Sequence, residues 1–482
     1  MIRVIGWAML ILLWIPVLVG LSLGGDEGFT WLSSRQWRLL GESALCAALV
    51  GALGTLAGFL IGFQACALRD LHQRLLLTAL VAFAALPGVV VSTPSLIFLM
   101  RVLPNHSQGL LPAVAVQVFA YTPICALLAM LAFSSMPKDQ VEASRFLPSQ
   151  AFAVRKVIVP LLWPGVAASF SVVAILALVD FTIPSIFNWN TYSLEALSDM
   201  SAGRPALASC LPLLVIGAAG AILCGRWMSW LVWTESNLKF PKLPVPGSLR
   251  VFATTVTWIY LTIAGGMFVG LAADIDSFAS AFASLANASG DAVSSLKINL
   301  VACAFSLLWG VNVVPLLVWS KTWVPWAAAI APFSFLPAMV GDSFAQLGVR
   351  LGVSGFWLPA LALSIRIAPI AAVLAAVFFG QLDRSAIESA RLSLPAVRRS
   401  VRIYLPLMLP ALGMAACLSF ISGLGDVGTM LMVVDPGQST LSLRLYNYLH
   451  YGSAPESTVI AFVIMGMAAA FALLFTLRRR TA

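Results

Sequence analysis

The sequence predicts an all-α, polytopic membrane protein of about twelve transmembrane helices in two homologous six-helix halves. Three observations carry that prediction. Hydrophobic residues fill 60% of the 482 positions and charged residues only 10%, with a mean hydropathy of +0.96, which no soluble core can absorb. The apolar residues fall in runs of about 20, each able to cross a hydrocarbon layer of roughly 30 Å as a helix. The second half of the chain also repeats the first in register.

The first-half runs are 4–24, 43–68, 75–100, 110–133, 162–186 and 207–225, and the second-half runs are 251–272, 298–320, 324–346, 355–378, 408–434 and 457–477. The first, "VIGWAMLILLWIPVLVGLSLG", follows Arg3 as a signal peptide would. Its apolar stretch is too long and lacks a small-x-small cleavage site, so it reads as a retained helix. Lys and Arg favour cytoplasmic loops. With both termini cytoplasmic, twenty of the 28 fall on that side. The net charge of +9 is therefore topological, and nucleic acid is not an expected partner. The seven cysteines lie inside apolar runs without C-x-x-C spacing, as small packing residues would.

The repeat fixes the domain organisation. Glu142 pairs with Glu388 (388 − 142 = 246), and Arg145 with Arg391, Pro160 with Pro406, Pro164 with Pro410, Pro123 with Pro369 and Asp180 with Asp426 share that offset of 246. Upstream, "LPGVVV" and "LPAMVG" correspond at 250 (337 − 87 = 250). Chance does not hold such a register across several elements. The divisions are an N-terminal helix and outer loop over 1–41, a first domain over 42–226, a cytoplasmic linker over 227–250, an extra helix and outer loop over 251–294, a second domain over 295–477 and a basic tail over 478–482. Parallel repeats of this kind place a pathway between the halves.

Two cytoplasmic segments repeat most closely: "VEASRFLPSQAFAVRKVIVPLLWPG", from 141, and "IESARLSLPAVRRSVRIYLPLMLPA", from 387. Each predicts a short helix, an interruption at Pro148 or Pro395, and a second basic helix running into Pro160 or Pro406. An ordinary basic connector accounts for one such loop, but not for two in register.

These segments resemble the EAA loop of ATP-binding cassette (ABC) importer permeases, in which E-A-A precedes a turn and then I-x-L-P. The matching residues are Glu142, Ala143, Ser144 and Arg145 with "VIVP", and Glu388, Ser389, Ala390 and Arg391 with "IYLP", within loops 134–160 and 380–406. The family's usual glycine six residues after the Glu is replaced by Pro148 and Leu394. The layout is similar to the fused two-domain permeases of ferric-iron and thiamine importers. The resemblance implies the MetI-like, type I transmembrane fold in a bacterial inner membrane. It implies coupling helices that dock on a separate ATPase subunit, a homodimer that binds ATP and Mg, and an extracytoplasmic solute-binding protein as a further partner. The substrates implied are small solutes: ferric iron first, then thiamine, phosphonate or similar.

No G-x-x-x-x-G-K-[ST] occurs in the chain, so nucleotide hydrolysis is expected elsewhere. Gly423, Gly425 and Gly428 match G-x-G-x-x-G, but in an apolar helix with no strand before them, which favours helix packing over dinucleotide binding. His72, His106 and His450 are too scattered for a metal site, and no catalytic constellation is present. Tyr446, Tyr448, His450 and Tyr451 lie on the outer side, either as an interfacial aromatic belt or as a docking surface for the binding protein.

Four charged residues fall in or near apolar runs: Asp180, Asp342, Arg366 and Asp426. Such charges usually face a partner or a wet cavity. Asp180 and Asp426 are expected close to the outer surface, either lining the pathway mouth or capping helix ends. Arg366 is expected about 15 Å deep. It either pairs with Asp342 or Asp426, or attracts an anionic group on the substrate. A secondary transporter driven by an ion gradient is the competing function; it would use these carboxylates and leave the paired loops unexplained.

Overall fold

The computed structural model describes residues 2–23, 32–68, 70–84, 86–233, 243–273, 285–320, 322–380, 395–451 and 454–477, with the isolated positions 275, 283, 382, 389 and 392. Among these residues every regular element is helical. Nine helices are long and apolar enough to cross a membrane, and three bent pairs raise the number to twelve. Each predicted run corresponds to one of these twelve. Starts move outward where capping allows it, as at Ser33, which closes a capping box with Gln36 and begins the helix Ser34–Ala67.

Prolines explain the bends. Val4–Leu12 and Ile15–Ser22 meet at 58° where Pro16 has no N–H for the turn and its ring crowds the carbonyl of Leu12. Leu71–Ala84 with Gly88–Val102, and Val324–Ser334 with Pro337–Leu351, bend by 98° and 89°. Both of these breaks fall at a Leu-Pro step, Pro87 and Pro337, at corresponding repeat positions. Proline pushes the residue before it into the extended region, and Leu336 sits at ψ 129.

Two predicted runs, 162–186 and 408–434, extend too far. The helices stop at Val179 and Gly423, and the chain restarts as Thr182–Ile186 and Val427–Val433. Asp180 and Asp426 take extended backbone conformations and accept hydrogen bonds from the N–H groups that begin these short helices, from Thr182 at 2.8 Å and from Thr429 at 2.9 Å. A carboxylate that competes for backbone donors in this way favours a cap over helix continuation.

The repeat is visible in packing. A Cβ on Gly58 would collide with Cys125 and come within 2.8 Å of the Ala126 nitrogen; one on Gly310 would come within 2.9 Å of Ala371 and 3.0 Å of the Ala372 nitrogen. The same crossing of two helices is thus built twice, with backbones so close that only glycine fits. Ser43 accepts from the Tyr192 N–H, and Ser295 from the Leu441 N–H, both at 2.8 Å. These bonds hold the short helices Tyr192–Ser201 and Leu441–Tyr451, which begin with matching Thr191/Ser193 and Thr440/Ser442 hydroxyl pairs. The repeat therefore reaches beyond the loop and its neighbours into these short helices. Salt bridges reinforce both with opposite polarity: Arg35 to Glu195 at 2.9 Å in one half, and Asp291 to Arg444 at 3.0 Å in the other.

Each half's first helix crosses to the other half. Gly6 packs its face on Leu316 of the second half, and Ser343 donates to the Pro16 carbonyl at 3.2 Å. In return, the helix Gly247–Ala273 lies on the first half, where Tyr260 stacks on Phe119 with centroids 4.7 Å apart and Thr254 donates to Gln64. The sequence assigned each first helix to its own half by chain order. Packing exchanges them and so clasps the halves together.

Candidate functional site

Two regions gather the residues singled out from sequence: a pair of loops with their entry helices, and a polar layer between the halves. In the first loop Lys138–Ala143 is helical, Ser144–Phe146 tightens to a 3₁₀ turn, and Leu147 is extended before Pro148. Ser144 is buried and closes the turn by donating to the Val141 carbonyl at 2.6 Å; Val141 is itself buried. Glu142, Ala143, Arg145 and Pro148 are exposed. Phe146 stands out at 91% exposed, and Leu392, its partner at the offset of 246, is also 91% exposed. Neither had been picked out from sequence, although a large apolar residue at the same position of two basic loops is a readable signal. In the second loop Glu388, Ala390 and Arg391 lie outside the described residues, while Ser389 and Pro395 are exposed.

Both loops enter their spans through the same irregular turn. Val154–Ile158 and Ser400–Tyr404 are π-helical, again 246 apart. Pro160 and Pro406 supply the cause. Each lacks the N–H that would bond the carbonyl four residues back, and each ring crowds that carbonyl, so the preceding turn widens. The Val159 N–H reaches the Val154 carbonyl instead. Pro160 and Pro406 are exposed.

The polar layer lies where the spans Gln150–Val179 and Arg402–Gly423 end, against the breaks of the bent pairs. A Cβ on Gly425 would collide with Pro87 of the other half, and one on Gly428 would come within 2.6 Å of Pro337 and 2.8 Å of Phe181. These contacts agree with helix packing as the use of the G-x-G-x-x-G glycines. In the first half Asp180 receives Gln117 at 3.3 Å and Tyr121 at 3.0 Å on one oxygen, and backbone N–H groups on the other. In the second half Asp426 receives the Thr429 N–H and hydroxyl, both at 2.9 Å, and faces Arg366 with Nε 3.5 Å from Oδ2. Arg366 also donates from Nη1 to the Phe335 carbonyl at 2.9 Å, at the proline break. Of the alternatives open from sequence, the pair is thus Arg366 with Asp426. Asp342 stands apart and accepts from Gln346 at 2.7 Å.

The two halves meet equivalent needs differently. Tyr121, Gln117 and Ala120 correspond to Ile367, Leu363 and Arg366 at the offset of 246. Neutral donors therefore serve Asp180 where a guanidinium serves Asp426. Gln117 and Tyr121 escaped the sequence reading because polar uncharged residues in an apolar run carry no signal until a partner is placed beside them.

The helix Leu441–Tyr451 stacks His450 on Tyr446 at 4.1 Å and places Arg444 over Tyr448 at 5.9 Å. Tyr446 is half-buried, and that burial raises its phenol above the ordinary value. Tyr451 is 85% exposed. Among the described residues, no three His, Cys, Asp or Glu side chains gather in a metal-holding group. Neither a protein-family model nor a curated protein matches the chain.

Proposed function

We propose that the chain is the membrane-spanning permease subunit of an ATP-driven, binding-protein-dependent importer in a bacterial inner membrane, with both termini cytoplasmic and a MetI-like fold. The observation that carries this reading is the pair Phe146 and Leu392, each 91% exposed at one repeat position of two basic loops. Loops bearing Arg145, Arg155 and Lys156 do not enter lipid, so an exposed apolar side chain at their tip calls for a protein partner. Two equivalent loops suit a symmetric partner that offers the same groove twice, as a homodimeric ATPase does. Closure of that dimer would push the loops together and, through the paired π turns, tilt the spans that begin at Val159 and Leu405. The outer helices with Tyr446, Tyr448, His450 and Tyr451 would receive a solute-binding protein, which delivers ferric iron, thiamine, phosphonate or a similar small solute.

The test is affinity purification of the full chain from gently solubilised native membranes, with mass spectrometry of accompanying proteins. Recovery of a P-loop ATPase and an extracytoplasmic binding protein is the expected result. Recovery of neither under any nucleotide condition overturns the proposal and advances the ion-coupled transporter.

A further inference from the structure

Resting on the permease reading, we infer that Arg366 is a specificity-determining residue that receives an anionic group, a carboxylate or phosphate of the transported solute, at the layer between the halves. Four observations combine. First, the fold does not require a cation at this level, because Asp180 at the equivalent place is satisfied by Gln117, Tyr121 and two backbone N–H groups. Arg366 is an addition of one half only, opposite Ala120 in the repeat.

Second, Asp426 does not depend on it. Thr429 supplies a donor to each carboxylate oxygen at 2.9 Å, so the guanidinium can exchange Asp426 for another anion without orphaning a buried acceptor. Third, Arg366 is incompletely engaged. Its Nε, buried and without a hydrogen-bond partner, lies 3.5 Å from Asp426, an ion pair rather than a close hydrogen bond. Only Nη1 makes a short bond, to the Phe335 carbonyl. That bond anchors the head, and a closer anion would give Nε the acceptor it lacks. Fourth, the segment that carries Asp426 meets the opposite half, since Cβ atoms on Gly425 and Gly428 would strike Pro87 and Phe181. The Arg366 side chain is more open than its partner's, 16% against 9%. An anion bound there lies between the two halves and is gripped or released as they move.

The test uses the full-length chain in nanodiscs, with citrate, inorganic phosphate and tetramethylammonium as probes, followed by calorimetric titration and thermal unfolding. Saturable binding of citrate or phosphate is expected. Arg366→Met should weaken it at least tenfold, Arg366→Lys should retain part of it, and Asp426→Asn should tighten it by removing the competing carboxylate. A purely structural ion pair predicts the opposite pattern: Asp426→Asn lowers the unfolding temperature and leaves anion affinity unchanged. That result overturns the inference, as does anion binding indifferent to Arg366→Met, saturable binding of tetramethylammonium alone, or no saturable anion binding by folded protein. If Arg366→Met does not fold, Asp426→Asn decides the matter. The titration needs no ATPase, so a failed co-purification would sink the permease reading without touching this measurement.

Discussion

Replacing Phe146 and Leu392 together by Ser should weaken association with the proposed ATPase partner at least a hundredfold while leaving the chain folded. Both side chains are 91% exposed, so neither contributes packing to the free chain, and surface changes of this kind usually cost within about 0.5 kcal/mol of stability. Fully burying a Phe or Leu is worth about 1.5–3 kcal/mol. The two positions sit on separate loops and should add, giving about 3–6 kcal/mol of docking energy. At about 1.4 kcal/mol per decade, the double variant should bind roughly 10²- to 10⁴-fold more weakly, and each single variant about 10- to 100-fold. The assay is titration of purified ATPase against the chain in nanodiscs, with thermal unfolding of each variant alongside. The reasoning fails if the double variant binds within threefold of the parent, or if its unfolding temperature falls as far as its affinity.

Three further predictions follow from the repeat and its irregularities. Gly58→Val and Gly310→Val should each cost about 1–3 kcal/mol by overpacking a crossing whose backbone cannot retreat, seen as lower unfolding temperatures of similar size; a neutral change at either site would show that the crossing is looser than described. Ser43→Ala and Ser295→Ala each orphan a buried N–H, of Tyr192 and Leu441, and should destabilise the helices Tyr192–Ser201 and Leu441–Tyr451 by about 1–3 kcal/mol. Hydrogen exchange should rise locally in the matching helix and not elsewhere. Pro160→Ala with Pro406→Ala permits ordinary helical turns in place of the π turns, so ATPase binding should persist while substrate-stimulated hydrolysis falls. Stimulation equal to the parent's would remove the π turns from the transmission path.

The sequence by itself determined the class of the protein, the twelve runs, the duplication and the two loops, because these depend on properties that residues carry locally. Apolar run length is a property of composition along a line, and a repeat is a comparison of that line with itself. Proline positions also belong to this set: Pro87, Pro337 and Pro148 mark breaks because their rings act on their immediate neighbours. Even the exposed pair Phe146 and Leu392 was legible in principle, since an apolar residue at one register of two basic loops is visible without coordinates.

Tertiary structure alone decided which charges meet. Arg366 could have reached Asp342 or Asp426 by depth, and helix rotation selected Asp426. It gave Asp180 neutral partners from a helix about 60 residues away in the chain. It also set Asp180 and Asp426 as helix caps against the proline breaks, and sent each half's first helix to the other half. These outcomes depend on which faces of distant helices pack, and close approach at Gly58, Gly310 and Gly425 sets those faces. A linear pattern records how apolar a helix is; in a chain apolar on nearly every face, it does not record which neighbour that face will find.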